Sequence, residues 1–131
     1  MQAEVIRTKR LPPFDNVGIA HAVRHGRLVF ISGQIAIDAD GNIMGKGDVT
    51  AQTRHIYDII ATILREQGGS LRNVVKLLTF YVNPEDFRPM ADIRKSYFGD
   101  GYFAASSSVC VKALPQPDSL VEIEAVAIIE D

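Results

Sequence analysis

From residue 120 to residue 129 the chain alternates strictly. Val121, Ile123, Ala125, Ala127 and Ile129 fall on one side, and Leu120, Glu122, Glu124, Val126 and Ile128 on the other, as successive side chains of a strand do. The first side is wholly apolar and predicts a covered face. The second sets two carboxylates among aliphatic residues. That pattern suits a wet pocket or a subunit boundary, because carboxylates in a dry core are costly. A second β-rich run over 104–111 precedes it across a Pro-containing turn, and the two are expected to pair as a hairpin.

Upstream, 4–8 reads as a short edge strand, and the prolines at 12 and 13 enforce a loop. Runs at 19–23 and 28–32, joined by Arg24-His25-Gly26-Arg27, predict a hairpin continued by 35–37. Asp38 to Asn42 is a turn cluster. Asp48 or Thr50 caps a helix reaching about Gln67, with Val49, Thr53, Ile56, Ile60, Ile63 and Leu64 at helical spacing and Gly68-Gly69 closing it. The run 74–82 is too apolar for a strand exposed on both faces and belongs mid-sheet. Asn83-Pro84-Glu85-Asp86 opens a second helix whose Phe87, Met90, Ile93, Tyr97 and Phe98 share a side, with Gly99-Asp100-Gly101 closing it. Strands, helix, strand, helix, two strands make an α+β fold, a mixed sheet with two helices on one face. The other face, expected to carry Glu122, Glu124, Ser106, Ser108 and Cys110, is left without an element to cover it. Oligomerisation is the natural solution.

A length of 131 residues suits one domain, 1–131. Fourteen basic against 16 acidic residues, net −2, with no long basic run, do not indicate a nucleic-acid face. One cysteine makes no internal disulfide. No N-terminal apolar signal region and no apolar stretch long enough to span a membrane is evident. A cytoplasmic protein is expected.

The spacing from Val109 through Lys112 and Leu114 to Val121-Glu122-Ile123 resembles the C-terminal signature of the Rid (YjgF-like) family. The likeness extends through Phe30-Ile31-Ser32-Gly33-Gln34-Ile35, Gly68-Gly69-Ser70-Leu71-Arg72-Asn73-Val74-Val75-Lys76 and Tyr81-Val82 before Asp86-Phe87, and so covers nearly the whole chain. It implies the chorismate-mutase-like Rid fold, and a homotrimer whose sheets face inward as a barrel with three clefts between subunits. It also implies water attack on a small imine or enamine without metal or organic cofactor. Glu122 matches the cleft carboxylate that orients or activates the water; alternatively it is a solvated interface acid. Ser106 stands where the family carries an Arg that would grip a substrate carboxylate. A serine hydroxyl has one donor and no charge, so it cannot replace a bidentate fork. Lys112, roughly 20 Å further along a strand, cannot stand in for it.

Ser32-Gly33-Gln34 matches the family's strand-end glycine, whose backbone borders the ligand; a β-bulge glycine is the other reading. Ile19 falls at a frequent pocket Tyr, and Ala91 at a pocket Asn. His21, placed on one side with Ile19 and Val23, either lines the cleft as an acid, base or donor or is a satisfied structural residue. Ser106 and Ser108 are substrate-lining residues or plain strand filler. Tyr102 and Phe103 sit where a pocket wall or a core would be, and Cys110 reads as a buried, inert thiol. The three histidines lack metal-site spacing.

The resulting expectation is a divergent Rid-family hydrolase. It would act on a small imine, enamine or related metabolite in an intersubunit cleft lined by Glu122, Ser106, Ser108, Gly33, Ile19, His21, Ala91 and Phe103. Without the signature Arg it would be poor on carboxylate-bearing 2-iminoalkanoates unless Arg24, Arg27 or Arg88 supplies a cation. The alternatives are a trimer that binds a small metabolite without turnover, or an interaction scaffold.

Overall fold

The computed structural model describes residues 2–130. The chain runs β1 (Glu4–Ile6), β2 (Ala22–His25), β3 (Leu28–Gln34), α1 (Val49–Glu66), β4 (Val74–Tyr81), α2 (Phe87–Phe98), β5 (Ala105–Cys110) and β6 (Val121–Ile128), with short 3-10 turns before β2, β4 and α2. One six-stranded sheet results, in the order β1-β2-β3-β6-β4-β5. All neighbours are antiparallel except β4 and β5, which are parallel.

α1 starts where Asp48 accepts a hydrogen bond from the backbone N–H of Ala51 at 3.0 Å, satisfying one of the donors a helix start leaves unpaired. It stops at Gln67, where Gly68 takes a φ of 86°. Ile56, Ile59, Ile60, Ile63 and Leu64 are fully buried along its inner stripe. They meet Val29 and Ile31 of β3, Leu77 of β4, and Val121, Ile123, Ala125 and Ala127 of β6, all buried. The apolar side of the last strand is therefore the covered one, as its alternation predicts. α2 lies beside α1 and adds Met90, Ile93 and Phe98. The Tyr97 hydroxyl donates to Asp58 Oδ1 of α1 at 2.9 Å and ties the two helices at their rim.

Three expectations about strands are corrected. β5 and β6 do not form a hairpin, because β4 lies between them. The β4-α2-β5 stretch is a parallel crossover unit, which puts β5 on the outer edge. The segment 111–120 is long enough to carry the chain past β4, and its Leu120 N–H and Asp118 carbonyl are held by the buried Gln52 side chain. Next, β2 begins only at Ala22, so Ile19 and His21 precede it and do not share a strand face with Val23. Finally, β3 ends at Gln34 and 35–37 leaves the sheet; Ile37 forms only an isolated antiparallel bridge with Ile43, which lies outside the sheet.

The sheet face away from the helices carries Phe30 and Leu28 of β3, Leu78 and Phe80 of β4, and Glu122, Glu124, Val126 and Ile128 of β6. Phe30 keeps 45% of its surface exposed. Nothing in the described chain packs on this face.

Candidate functional site

Glu122 and Gly33 meet on the open face. The β3-β6 register slips between Ile31 and Gln34, a bulge that turns the backbone of Gly33 toward β6. A Cβ at Gly33 would lie 2.4 Å from Glu122 Oε2 and 2.8 Å from Cδ, so only glycine admits the carboxyl to this position. Beside the bulge, the Ser32 hydroxyl donates to the Ala20 carbonyl at 2.7 Å. Burial, and secondarily the like charge of Glu124 two residues on, push the Glu122 carboxyl above its ordinary value. A half-buried carboxyl raised in this way, lying close to the Gly33 backbone, is equipped to take a proton from water and return it.

Ser106 and Ser108 are elsewhere, contrary to expectation. Ser106 pairs with Leu77 and Ser108 with Thr79, and Leu77 and Thr79 are buried under the helices. The register therefore turns Ser106, Ser108 and Cys110 toward the helix side. On β5 it is Ser107 and Val109 that share the open face with Glu122 and Glu124. Ser106 is level with Ala125 and two strands from it, on the opposite face from Glu122, so one chain does not unite them.

The helix-side residues form a second feature. Ala91 and Phe103 line a cavity of about 310 Å³ between α2 and the start of β5. Leu77, Phe98 and Ala104 give it an apolar floor, and Arg88, Arg94, Lys95 and Asp92 a charged rim. Arg94 Nη1 donates to Ser106 Oγ at 3.5 Å, so the cation at Ser106 comes from α2. Its charge also reaches the Tyr57 phenol, which burial pushes up to about 12 against the opposing pull of Arg94. Arg94 was missed in the sequence. The available signal was its place one helical turn beyond Ala91. The cations that were named serve otherwise. Arg24 bonds Gly26 and Gln67, and Arg27 the Ile129 carbonyl. Arg88 pairs with Asp92 at 3.4 Å.

Ile19 and His21 fall in a third place, a groove under the N-terminal loop that also touches Phe14 and Leu11. His21 Nε2 is 2.7 Å from the Pro12 carbonyl and its Nδ1 3.4 Å from Gln34 Nε2, with its ring 4.7 Å from that of Phe14. The Pro12 carbonyl can only accept, so Nε2 carries a proton and donates to it. These contacts describe a satisfied structural histidine. Tyr102 donates to the Val74 carbonyl and packs on Phe98, on the core side, whereas Phe103 is 69% exposed. Cys110 is exposed on the edge strand, not buried, because β5 has a neighbour on one side only.

A half-covered mixed sheet, with a carboxyl seated on a bulge glycine and a separate cationic cavity at its edge, defines the α+β class of this protein. The family model described as Endoribonuclease L-PSP matches residues 16–129. A RutC family protein of Pyrococcus abyssi is 37% identical over 97% of this chain and 98% of its own. The 3-aminoacrylate deaminase RutC of Acinetobacter baylyi is 30% identical over 97% and 98%. The crystal structure of a conserved Rid-family protein of Yersinia pestis superposes with a TM-score of 0.89 at 32% identity, covering 98% of this chain and all of that one. The chain belongs to the Rid (YjgF-like, L-PSP) family.

Proposed function

We propose that this protein hydrolyses the C=N bond of a small imine, or of the imine tautomer of an enamine, with Glu122 as the proton-transferring group. The observation that carries the reading is the Glu122 carboxyl lodged against Gly33 at the bulge, its proton affinity raised by burial. Water adds through oxygen to the imine carbon. Glu122 accepts the proton the water loses and passes it to the nitrogen, giving a neutral carbinolamine. Glu122 then takes the carbinolamine's hydroxyl proton and delivers it to the nitrogen as the C–N bond breaks, so ammonia leaves and the carbon keeps the oxygen as a carbonyl. One water is consumed, and one ammonia and one carbonyl compound are released.

Assembly completes the site in this reading. The open face with its exposed Phe30, Leu28 and Ile128 calls for a covering partner, and the homotrimer implied by the family resemblance supplies one. The Glu122–Gly33 half-site of one copy then faces the Ala91–Phe103–Ser106 edge of another, which accounts for two half-sites on opposite faces of one chain. A net charge of −2 without an extended basic run supports a small-molecule ligand over a nucleic acid, despite the family's descriptive name. Ile19 lies apart from Ala91, Ser106 and Ser108, and three cations ring the cavity beside Ala91, which speaks against an uncharged cleft built from these four residues.

The test is ammonia release from freshly generated 2-iminobutanoate. Glu122→Gln keeps the shape and removes the base, and is expected to lower kcat by about 10²- to 10⁴-fold. Full activity in this variant would refute the assignment.

A further inference from the structure

The bulge that admits Glu122 is held by a side chain of its own. Ile31 pairs with Ala125 and Gln34 with Ile123, so Ser32 and Gly33 together oppose Glu124, two residues against one. A bulge interrupts the ladder, and its backbone groups need other partners. The Ser32 N–H donates to the His21 carbonyl at 2.9 Å, and the Ser32 hydroxyl to the Ala20 carbonyl at 2.7 Å. The Ser32 carbonyl accepts from Gln34 Nε2 at 3.1 Å. The Gln34 side chain therefore folds back across Gly33 and closes the bulge on itself.

Gln34 is 2% exposed, and an amide buried to that degree is placed by its partners. The Ser32 carbonyl only accepts, which identifies the atom bonded to it as the nitrogen. The same nitrogen lies 3.5 Å from the His21 carbonyl and 3.4 Å from His21 Nδ1, two longer approaches that share its second hydrogen. His21 is anchored in turn by its bond to the Pro12 carbonyl and by the Phe14 ring. Leu11 is buried in the same loop, and Arg7 closes on Asp15 with contacts of 2.6 and 2.8 Å. A chain of contacts thus runs from the N-terminal loop through His21, Gln34 and the Gly33 peptide to the Glu122 carboxyl. Gln34 faces the helix side with Ile123, and Glu122 faces the open side. Gln34 therefore acts on Glu122 only through the backbone between them.

We infer that Gln34 is the positioning residue of the Glu122 site, with His21 as the support that orients it. Together they fix the Gly33 peptide, and so the wall on which the carboxyl rests, against displacements of the size that cost a proton-transfer group its rate. Neither residue touches substrate or reacting atoms. That the placed group transfers a proton rests on the hydrolase reading above. That Gln34 places it does not.

Two readouts keep these apart. Titration of the Glu122 carboxyl is followed by NMR on full-length protein labelled at its glutamate side chains, with Glu122→Gln giving the assignment. Ammonia release from freshly generated 2-iminobutanoate gives kcat and KM, and circular dichroism verifies folding. Gln34→Met keeps the length of the side chain and removes its donor. It is expected to lower kcat about 10- to 100-fold and to leave KM within about threefold, the mark of a loss in the transition state. The Glu122 titration should move to lower pH, as a loosened seat lets water reach the carboxyl. His21→Ala should do the same more weakly. His21→Gln should stay near wild type, because an amide again offers a donor toward Pro12 and an acceptor toward Gln34. Gln34→Met added to Glu122→Gln should be no slower than Glu122→Gln alone. A folded Gln34→Met with an unmoved Glu122 titration overturns the inference, whatever its turnover, as does a loss in His21→Ala that His21→Gln does not repair. If Gln34→Met does not fold, the two His21 variants decide on the same readouts. A wild type that releases no ammonia, with a Glu122 titration that still moves in Gln34→Met, overturns the hydrolase reading and upholds the positioning role.

Discussion

Gly33→Ala separates folding from function at one atom. Gly33 does not occupy the left-handed region, so alanine there brings no backbone strain. The whole effect is the meeting of the new methyl with Glu122. Contact at 2.4 Å with Oε2, 2.8 Å with Cδ and 3.0 Å with Cγ must open to the ordinary range, which begins near 3.4 Å. The carboxyl therefore retreats by about 1 Å, and the displacement includes its stem. Glu122 ends on the open face with room to swing, so the cost to folding is that of an off-rotamer side chain, about 0.5–1.5 kcal/mol. A displacement of about 1 Å at a proton-transfer group costs on the order of 10²-fold in rate. Urea unfolding and ammonia release measured on the same preparation therefore diverge: near-native stability, and activity down about a hundredfold. Adding Gly33→Ala to Glu122→Gln should cost little more in rate, since both remove the same placed carboxyl. Unchanged kcat in Gly33→Ala, or full additivity with Glu122→Gln, would refute the role assigned to this contact.

Two further outcomes follow from particular groups. Because burial and Glu124 raise the Glu122 carboxyl, the acid limb of kcat/KM should lie above the usual carboxylate range, and Glu124→Gln should move it to lower pH. The stability sign is fixed by the same shift. Glu122 binds its proton more tightly folded than unfolded, so its contribution is fully present below the unfolded value and is lost as pH rises through the folded one; Glu122→Gln should flatten that dependence in thermal melts across pH. The Gln52 side chain is fully buried, donating to the Met44 and Asp118 carbonyls at 3.2 and 2.8 Å and accepting from the Leu120 N–H at 2.8 Å. Gln52→Ala leaves three backbone groups unpaired and should cost about 2–4 kcal/mol in urea unfolding, with faster amide exchange at Leu120.

What the sequence disclosed and what it withheld divide along physical lines. Alternation over 120–129 identified the covered side of β6 residue by residue, because period and burial are properties of one strand alone. The stripe from Val49 to Leu64 and its Asp48 cap were legible for the same reason. The partner of a strand is not local. Nothing within 104–129 says that β4 inserts between the last two strands, and once it does, the side on which Ser106 emerges is set by its pairing with Leu77. A register read from the assumed hairpin put Ser106 beside Glu122; the true pairing puts it beside α2. Arg94 was hidden by the same step, because a helix cation gains meaning only when the edge strand that receives it is known to be β5. Both half-sites thus rest on one topological fact, the parallel β4-α2-β5 crossover. It sends the Ser106 edge under Arg94 while leaving Glu122 on the open face. On the proposed reading, the Glu122 half-site and the Ser106 edge of one chain cannot meet, so turnover is expected to require assembly. Dilution to the point of dissociation should abolish turnover. Activity that persists in a monomer, measured by sedimentation at the assay concentration, would show that the two half-sites do not need each other.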